Sequence, residues 1–165
     1  VTVEATALRS VLRAHASGVT VLTARGPAGP AGVTITSFTS LSASPALVSF
    51  ALAETSSTWE LVQDARWFGV QLLGAHQADL AERFATRGAD RFAPPTAWHH
   101  GPHGVPLLDD CLGWLVCAAR ERIRVGDHHL VVAAVEQVRE GGPGDSLVHL
   151  HGRLRPVTST TVSRI

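Results

Sequence analysis

Short runs of β-branched and aliphatic residues, each closed by a glycine- or proline-rich turn, set the strongest limit on what this chain can fold into. "GVTVLTA" is closed by "RGPAGPAG", and the run from Ala31 to Pro45, "AGVTITSFTSLSASP", follows as the second arm of a hairpin. "ALVSFALA", "WFGVQLL", "CLGWLVCAARERIRV", "HHLVVAAVEQVRE" and "SLVHLHGRLR" read as further strands. Helical periodicity is confined to short pieces. "TALRSVLRAHA" puts Leu8, Val11, Leu12 and His15 on one face, and "SSTWELVQDA" and "HQADLAERFATRG" also turn helical. From Ala93 to Pro106, Pro, Gly and His mark a long loop. Strands dominate, so the pattern predicts an antiparallel barrel or sandwich with short helical insertions and not a βαβ sheet. At 165 residues and 45% hydrophobic content, the chain is expected to form one domain over 1–165 around a real core.

Composition narrows the partners. The formal net charge is zero, which argues against a nucleic-acid or anionic-membrane surface. No run of about 18 apolar residues is present, so no membrane span is expected. "VTVEATALRS" lacks the pattern of a signal peptide. The two cysteines, Cys111 and Cys117, are too far apart on one strand for a local disulfide. Reduced thiols and a cytoplasmic location are the simplest reading.

The run from Ala31 to Pro45 is unusual in its hydroxyls. At period 2, Val33, Ile35, Ser37, Thr39 and Leu41 fall on one face, and Thr34, Thr36, Phe38, Ser40 and Ser42 on the other. No Lys, Glu or Arg interrupts it, so these hydroxyls meet either protein backbone or a bound polar ligand. In "ETSSTWEL", Ser57 and Glu60 have capping-box spacing, with Ser56 and Thr58 crowding the same helix start. Free N–H groups and hydroxyls there suit a phosphate, although plain helix capping explains the same residues. In "VGDHHLVV", His128 and His129 point to opposite faces of a strand, and a His beside an Asp suits positioning of a hydride donor. His99, His100 and His103 in "WHHGPHG", and His149 and His151 two apart on one strand face in "HLH", offer metal ligands without a carboxylate at matching spacing, so no metal is expected. "GPAGPAG" lacks the Lys-Ser/Thr of a nucleotide-triphosphate loop, no GxGxxG opens a helix after a strand, and no GxSxG elbow is present.

Taken in order, these segments resemble the flavin reductase-like family, the small reductases that supply reduced flavin to two-component monooxygenases. The resemblance runs from about Leu8 to Arg155 and rests on "RSVLRAHASGVTVLTA", "GVTITSFTSLSASPALVSFAL", "SSTWELV", "FGVQLLGAHQADLAERFA", "DRFAPPTAW", "GVPLLDDCLGWLVC", "GDHHLVVAAV" and "LVHLHGRLR". It implies an FMN-binding split β-barrel of Greek-key type, a homodimer, and a flavin near the subunit interface. Pro30, Ala31, Gly32, Val33, Thr34, Thr36 and Ser37 match positions that line the flavin, as do Ala51, Leu52 and Ala53. Ser57 and Thr58 match positions that hold its phosphate, and Arg83 matches a residue that also contacts the flavin. Asp127 and His128 match the Gly-Asp-His motif on the nicotinamide side. The implied activity is hydride transfer from NADH or NADPH to FMN or FAD, with a monooxygenase as partner. Two other readings stay open at this point. One is a flavin-binding protein of the same fold that does not reduce free flavin. The other is a metal-binding β-barrel built on His149 and His151.

Overall fold

The computed structural model describes residues 3–158. In chain order the elements are α1 (Ala5–Leu12), β1 (Ser17–Gly18), β2 (Thr20–Gly26), β3 (Gly29–Ile35), β4 (Thr39–Ala43), β5 (Ala46–Ala53), α2 (Ser57–Val62), β6 (Trp67–Leu72), α3 (Ala78–Ala85), β7 (Trp98–His100), β8 (Pro106–Leu108), β9 (Gly113–Val125), β10 (His128–Glu140), β11 (Ser146–Leu150) and β12 (Arg153–Val157). The chain is mainly β, as its sequence predicts. The main sheet has seven strands in the order β3-β2-β6-β9-β10-β5-β4, and every recorded pairing is antiparallel. A three-stranded sheet, β1-β11-β12, and a small β7-β8 pair complete it.

The seven-stranded sheet curls without closing by hydrogen bonds. Its two edge strands, β3 and β4, are consecutive in sequence and are joined by Thr36, Ser37 and Phe38. The run from Ala31 to Pro45 is therefore not one strand with two faces. It supplies both edges of the sheet and the crossing between them, because the curl needs a break in the extended backbone there. Ser37 ties the two sides together: its hydroxyl donates to the Ala51 carbonyl at 2.9 Å and accepts from the Ala51 N–H at 3.0 Å. Strand β4 pairs only with residues 46–49 of β5, so the open seam at Ser37 is bounded by β3 and the remainder of β5.

Strand β2 explains why "GVTVLTA" shows no alternation of apolar and polar residues. Thr20, Val21, Leu22, Thr23 and Ala24 are all buried, because this strand is covered on both faces. Leu22 and Ala24 enter the barrel interior with Phe50, Phe68, Val70, Cys117 and Val131. Val21 faces the other way, into a second core with Ala81 and Phe84 of α3, Leu108 and Leu147. Phe50 and Phe68 meet edge to face at 5.1 Å and are fully buried, each contributing roughly 1.5–3 kcal/mol by leaving water.

Several local expectations change. The region from Ala93 to Pro106 is not all loop, since β7 lies within it and pairs with β8. "SLVHLHGRLR" is a hairpin and not one strand. His151 sits in its turn with φ of 53° and Gly152 with φ of 76°, so His149 and His151 do not share a strand face. Cys111 lies ahead of β9 and only Cys117 is on it; both are free and buried. Helix α1 ends at Leu12, so His15 lies beyond it, and its Leu8, Val11 and Leu12 are exposed on this chain. Among the described residues no helix is long and apolar enough to cross a membrane.

Candidate functional site

Two cavities lie along consecutive stretches of β3. The first, about 290 Å³, occupies the seam and is lined by Val33, Thr34, Thr36 and Ser37 from the β3 edge, Ala51, Leu52 and Ala53 from β5, and His128. The second, about 180 Å³, is lined by Pro30, Ala31 and Gly32 of β3, Ser57 and Thr58 of α2, and Ala89 to Phe92. All the flavin-lining candidates except Arg83 fall in these two spaces. Residues separated by many positions in sequence meet there because the curl brings β3 opposite β5, while α2 follows directly from the end of β5.

The hydroxyls are only partly free for a ligand. Thr34 donates to the Ala81 carbonyl of α3 at 2.7 Å, and Ser37 is committed to Ala51. Thr36 is exposed on the seam. Backbone therefore takes some of the hydroxyl pattern, and what remains lines a small polar groove.

The helix start also differs from the capping-box spacing. Ser56, not Ser57, is the N-cap, and its hydroxyl accepts from the Thr58 N–H at 3.3 Å. Helix α2 is six residues long, so its dipole is weak, and Glu60 is exposed with no bond back to the cap. Ser57 is exposed beside the second cavity, whereas Thr58 is buried in its wall.

Arg83 lies elsewhere. It projects from α3 into a separate cavity with Asp79, Asp109 and Asp110, and its Nη1 is 3.5 Å from the Ala93 carbonyl. Carboxylates around it make that space a poor host for a phosphate. Arg91 is the cation that lines the second cavity. It reaches into the second cavity and donates to the Gly32 carbonyl at 2.6 Å, the Thr58 hydroxyl at 2.8 Å and the Thr86 carbonyl at 3.0 Å. Sequence reasoning passed over it, because "DRF" sits in a loop with no periodicity or motif to single it out.

On the opposite wall, His128 pairs in register with Ala53 and its Nδ1 is 2.6 Å from Asp127 Oδ1. This hydrogen bond is the main cause holding the Asp127 carboxyl below its ordinary range. His129 does point to the other face. Its ring stacks on Trp59 at 4.2 Å and its Nε2 lies 3.2 Å from Glu54. Glu54 in turn pairs with Arg124, and its N–H donates to the Asp127 carbonyl at 3.0 Å. The turn that carries Asp127 and His128 is thereby fastened to the turn that leads from β5 into α2.

Other chemistry finds little support. His99 bonds Asp109, His103 stacks on Trp67, and His100 packs edge-on against Trp98. Among the described residues no group of three metal-ligating side chains converges. Burial pushes the Cys117 thiol up to about 12 and Cys111 to about 11, so neither is a ready nucleophile near neutrality.

Comparison with known proteins identifies the family. The family model described as flavin reductase like domain matches residues 12–158. A protein of Rhodococcus qingshengii named NADH:FMN oxidoreductase is 43% identical over 79% of this chain and 68% of its own length. The reductase component of a 4-nitrophenol 4-monooxygenase/4-nitrocatechol 2-monooxygenase from Rhodococcus opacus is 39% identical over 88% of this chain and 77% of its own. A flavin reductase domain protein from Arthrobacter superposes with a TM-score of 0.88 at 32% identity, covering 96% of this chain and 99% of its own.

Proposed function

This chain belongs to the flavin reductase-like family, and from that premise we propose that it is an NAD(P)H-dependent flavin reductase that supplies reduced flavin to a monooxygenase. The observation that carries the reading is the groove itself: two cavities along consecutive stretches of β3, one lined mainly by small neutral residues, the other holding a cation. A tricyclic ring with a phosphorylated tail needs that sequence of environments. The residues also pass a test of fit, since Arg91 lines the second cavity, no carboxylate among the described residues pairs with it, and one of its two Nη2–H groups has no protein acceptor.

Val33, Thr36, Ala51, Leu52 and Ala53 would line the flavin ring and ribityl chain, with Thr34 and Ser37 holding the walls in place. Pro30, Ala31, Gly32, Ser57 and Thr58 would bound the tail. Bound flavin supplies the hydride-accepting ring. The protein's task is alignment, and no side chain has to transfer a proton. His128, at the mouth of the seam, would orient the nicotinamide, and Asp127 fixes its ring through Nδ1. The relatives' names support FMN and NADH; FAD and NADPH fit the same roles. We also take the working unit to be a homodimer, which would cover the exposed Leu8, Val11 and Leu12. Two buried, free thiols are compatible with a cytoplasmic setting.

The test is flavin-dependent loss of nicotinamide absorbance by purified protein, with FMN and FAD each paired with NADH and NADPH. Turnover that requires added or retained flavin is the expected result. Flavin binding without turnover from either donor overturns the reductase reading and leaves a flavin-binding barrel.

A further inference from the structure

We propose that Arg91, and not Arg83, is the residue that recognises the phosphate of the flavin and so sets the preference for a phosphorylated flavin over riboflavin. The inference rests on the flavin-reductase reading of the groove and adds to it a specificity-determining residue.

Arg91 is held by three separate segments. Its Nη1 donates to the Gly32 carbonyl of β3 and to the Thr58 hydroxyl of α2, and its Nη2 donates to the Thr86 carbonyl just beyond α3. Each terminal nitrogen carries two N–H groups, so one Nη2–H and the enclosed Nε–H are left without a protein acceptor. No carboxylate pairs with Arg91 among the described residues. Asp90 lines the same cavity, but its Oδ1 accepts from the Ala93 N–H at 3.2 Å.

Burial works against the charge of this guanidinium and lowers the Arg91 pKa, while the group stays charged. A phosphate in the cavity supplies the missing negative charge and accepts the spare hydrogen bond. The fork is already anchored, so little side-chain freedom is lost on binding. Arg83 has the opposite setting, among Asp79, Asp109 and Asp110 in a cavity that β3 and α2 do not line.

The test is a fluorescence titration of FMN and riboflavin into wild type, Arg91→Gln, Arg91→Lys and Arg83→Ala, with circular dichroism to confirm folding. Wild type should bind FMN more tightly than riboflavin. In Arg91→Gln that preference should shrink by about 10- to 100-fold, the range of a lost charge-assisted bond. Riboflavin affinity should change by less than about threefold, because riboflavin lacks the group concerned. Arg91→Lys keeps the charge and loses the fork, so the preference should shrink by about 3- to 10-fold. Arg83→Ala should keep the wild-type preference. An unchanged preference in a folded Arg91 variant overturns the proposal, as does a preference lost only in Arg83→Ala. Should Arg91→Gln not fold, the Lys variant decides on the same criterion. Wild type that binds neither flavin overturns the reading of the groove itself, a different result from a failed assignment of Arg91.

Discussion

The two halves of the groove share β3 as a wall and differ in almost everything else. On the seam side the lining is small, neutral and partly exposed: Val33, Thr36, Ala51 and Ala53, with Ser37 locked to backbone across the gap. In the other half the space is smaller and holds one half-buried cation, Arg91, pinned by Gly32, Thr58 and Thr86. On the proposed reading the seam would recognise shape and hydrogen bonding and the other half charge. A phosphorylated flavin offers both features on one molecule, so a single ligand would account for the whole groove.

The strongest way to break this contrast is to remove the support that both halves share. Phe50 of β5 is fully buried against Phe68 of β6. Phe50→Ala should destabilise the fold by about 3–5 kcal/mol, read by urea unfolding, and should weaken FMN and riboflavin together. Loss of FMN affinity alone, with stability intact, would show that the two halves do not rest on one core.

His128→Ala acts at one end only. It should raise the apparent KM for NADH by about tenfold, the effect of roughly one lost hydrogen bond to the donor. Flavin affinity should stay within about twofold, because Ala53 and Ser37 still line the seam. Steady-state kinetics at saturating flavin separates these quantities, and an unchanged KM would remove His128 from the nicotinamide role. The smallest expected effect sharpens the neutral half. Ser37→Ala removes both bonds to Ala51 and should cost about 1 kcal/mol at this exposed seam. It should weaken FMN and riboflavin equally, by about fivefold, in the same titration. An effect on FMN alone would place charge recognition in the wrong half of the groove.

Much of the architecture was legible because it depends on local chemistry. β-Branched runs and Gly/Pro turns gave the strands, and "GDHH" placed His128 and His129 on opposite faces, as β10 does. The hydroxyl run was harder to read. Its period-2 faces put Thr34 with Thr36 and Ser37 opposite them, yet Thr34 and Ser37 bind backbone and Thr36 has no recorded bond. Which hydroxyls are taken depends on where α3 and β5 come to lie. The capping box misplaced the helix start by one residue, since Ser56 and Ser57 offer the same side chain and only the backbone path chooses between them.

The sequence by itself determined the strand-rich class and the family, because pattern and order are properties of neighbours in the chain. Only the tertiary structure decided which arginine faces the second cavity. Arg83 and Arg91 are near each other in sequence and identical in chemistry. Arg83 projects from a helix toward three aspartates, whereas Arg91 lies in a loop that folds back onto β3 and α2. An electrostatic role belongs to a side chain's surroundings, and those surroundings exist only once distant segments have been brought together.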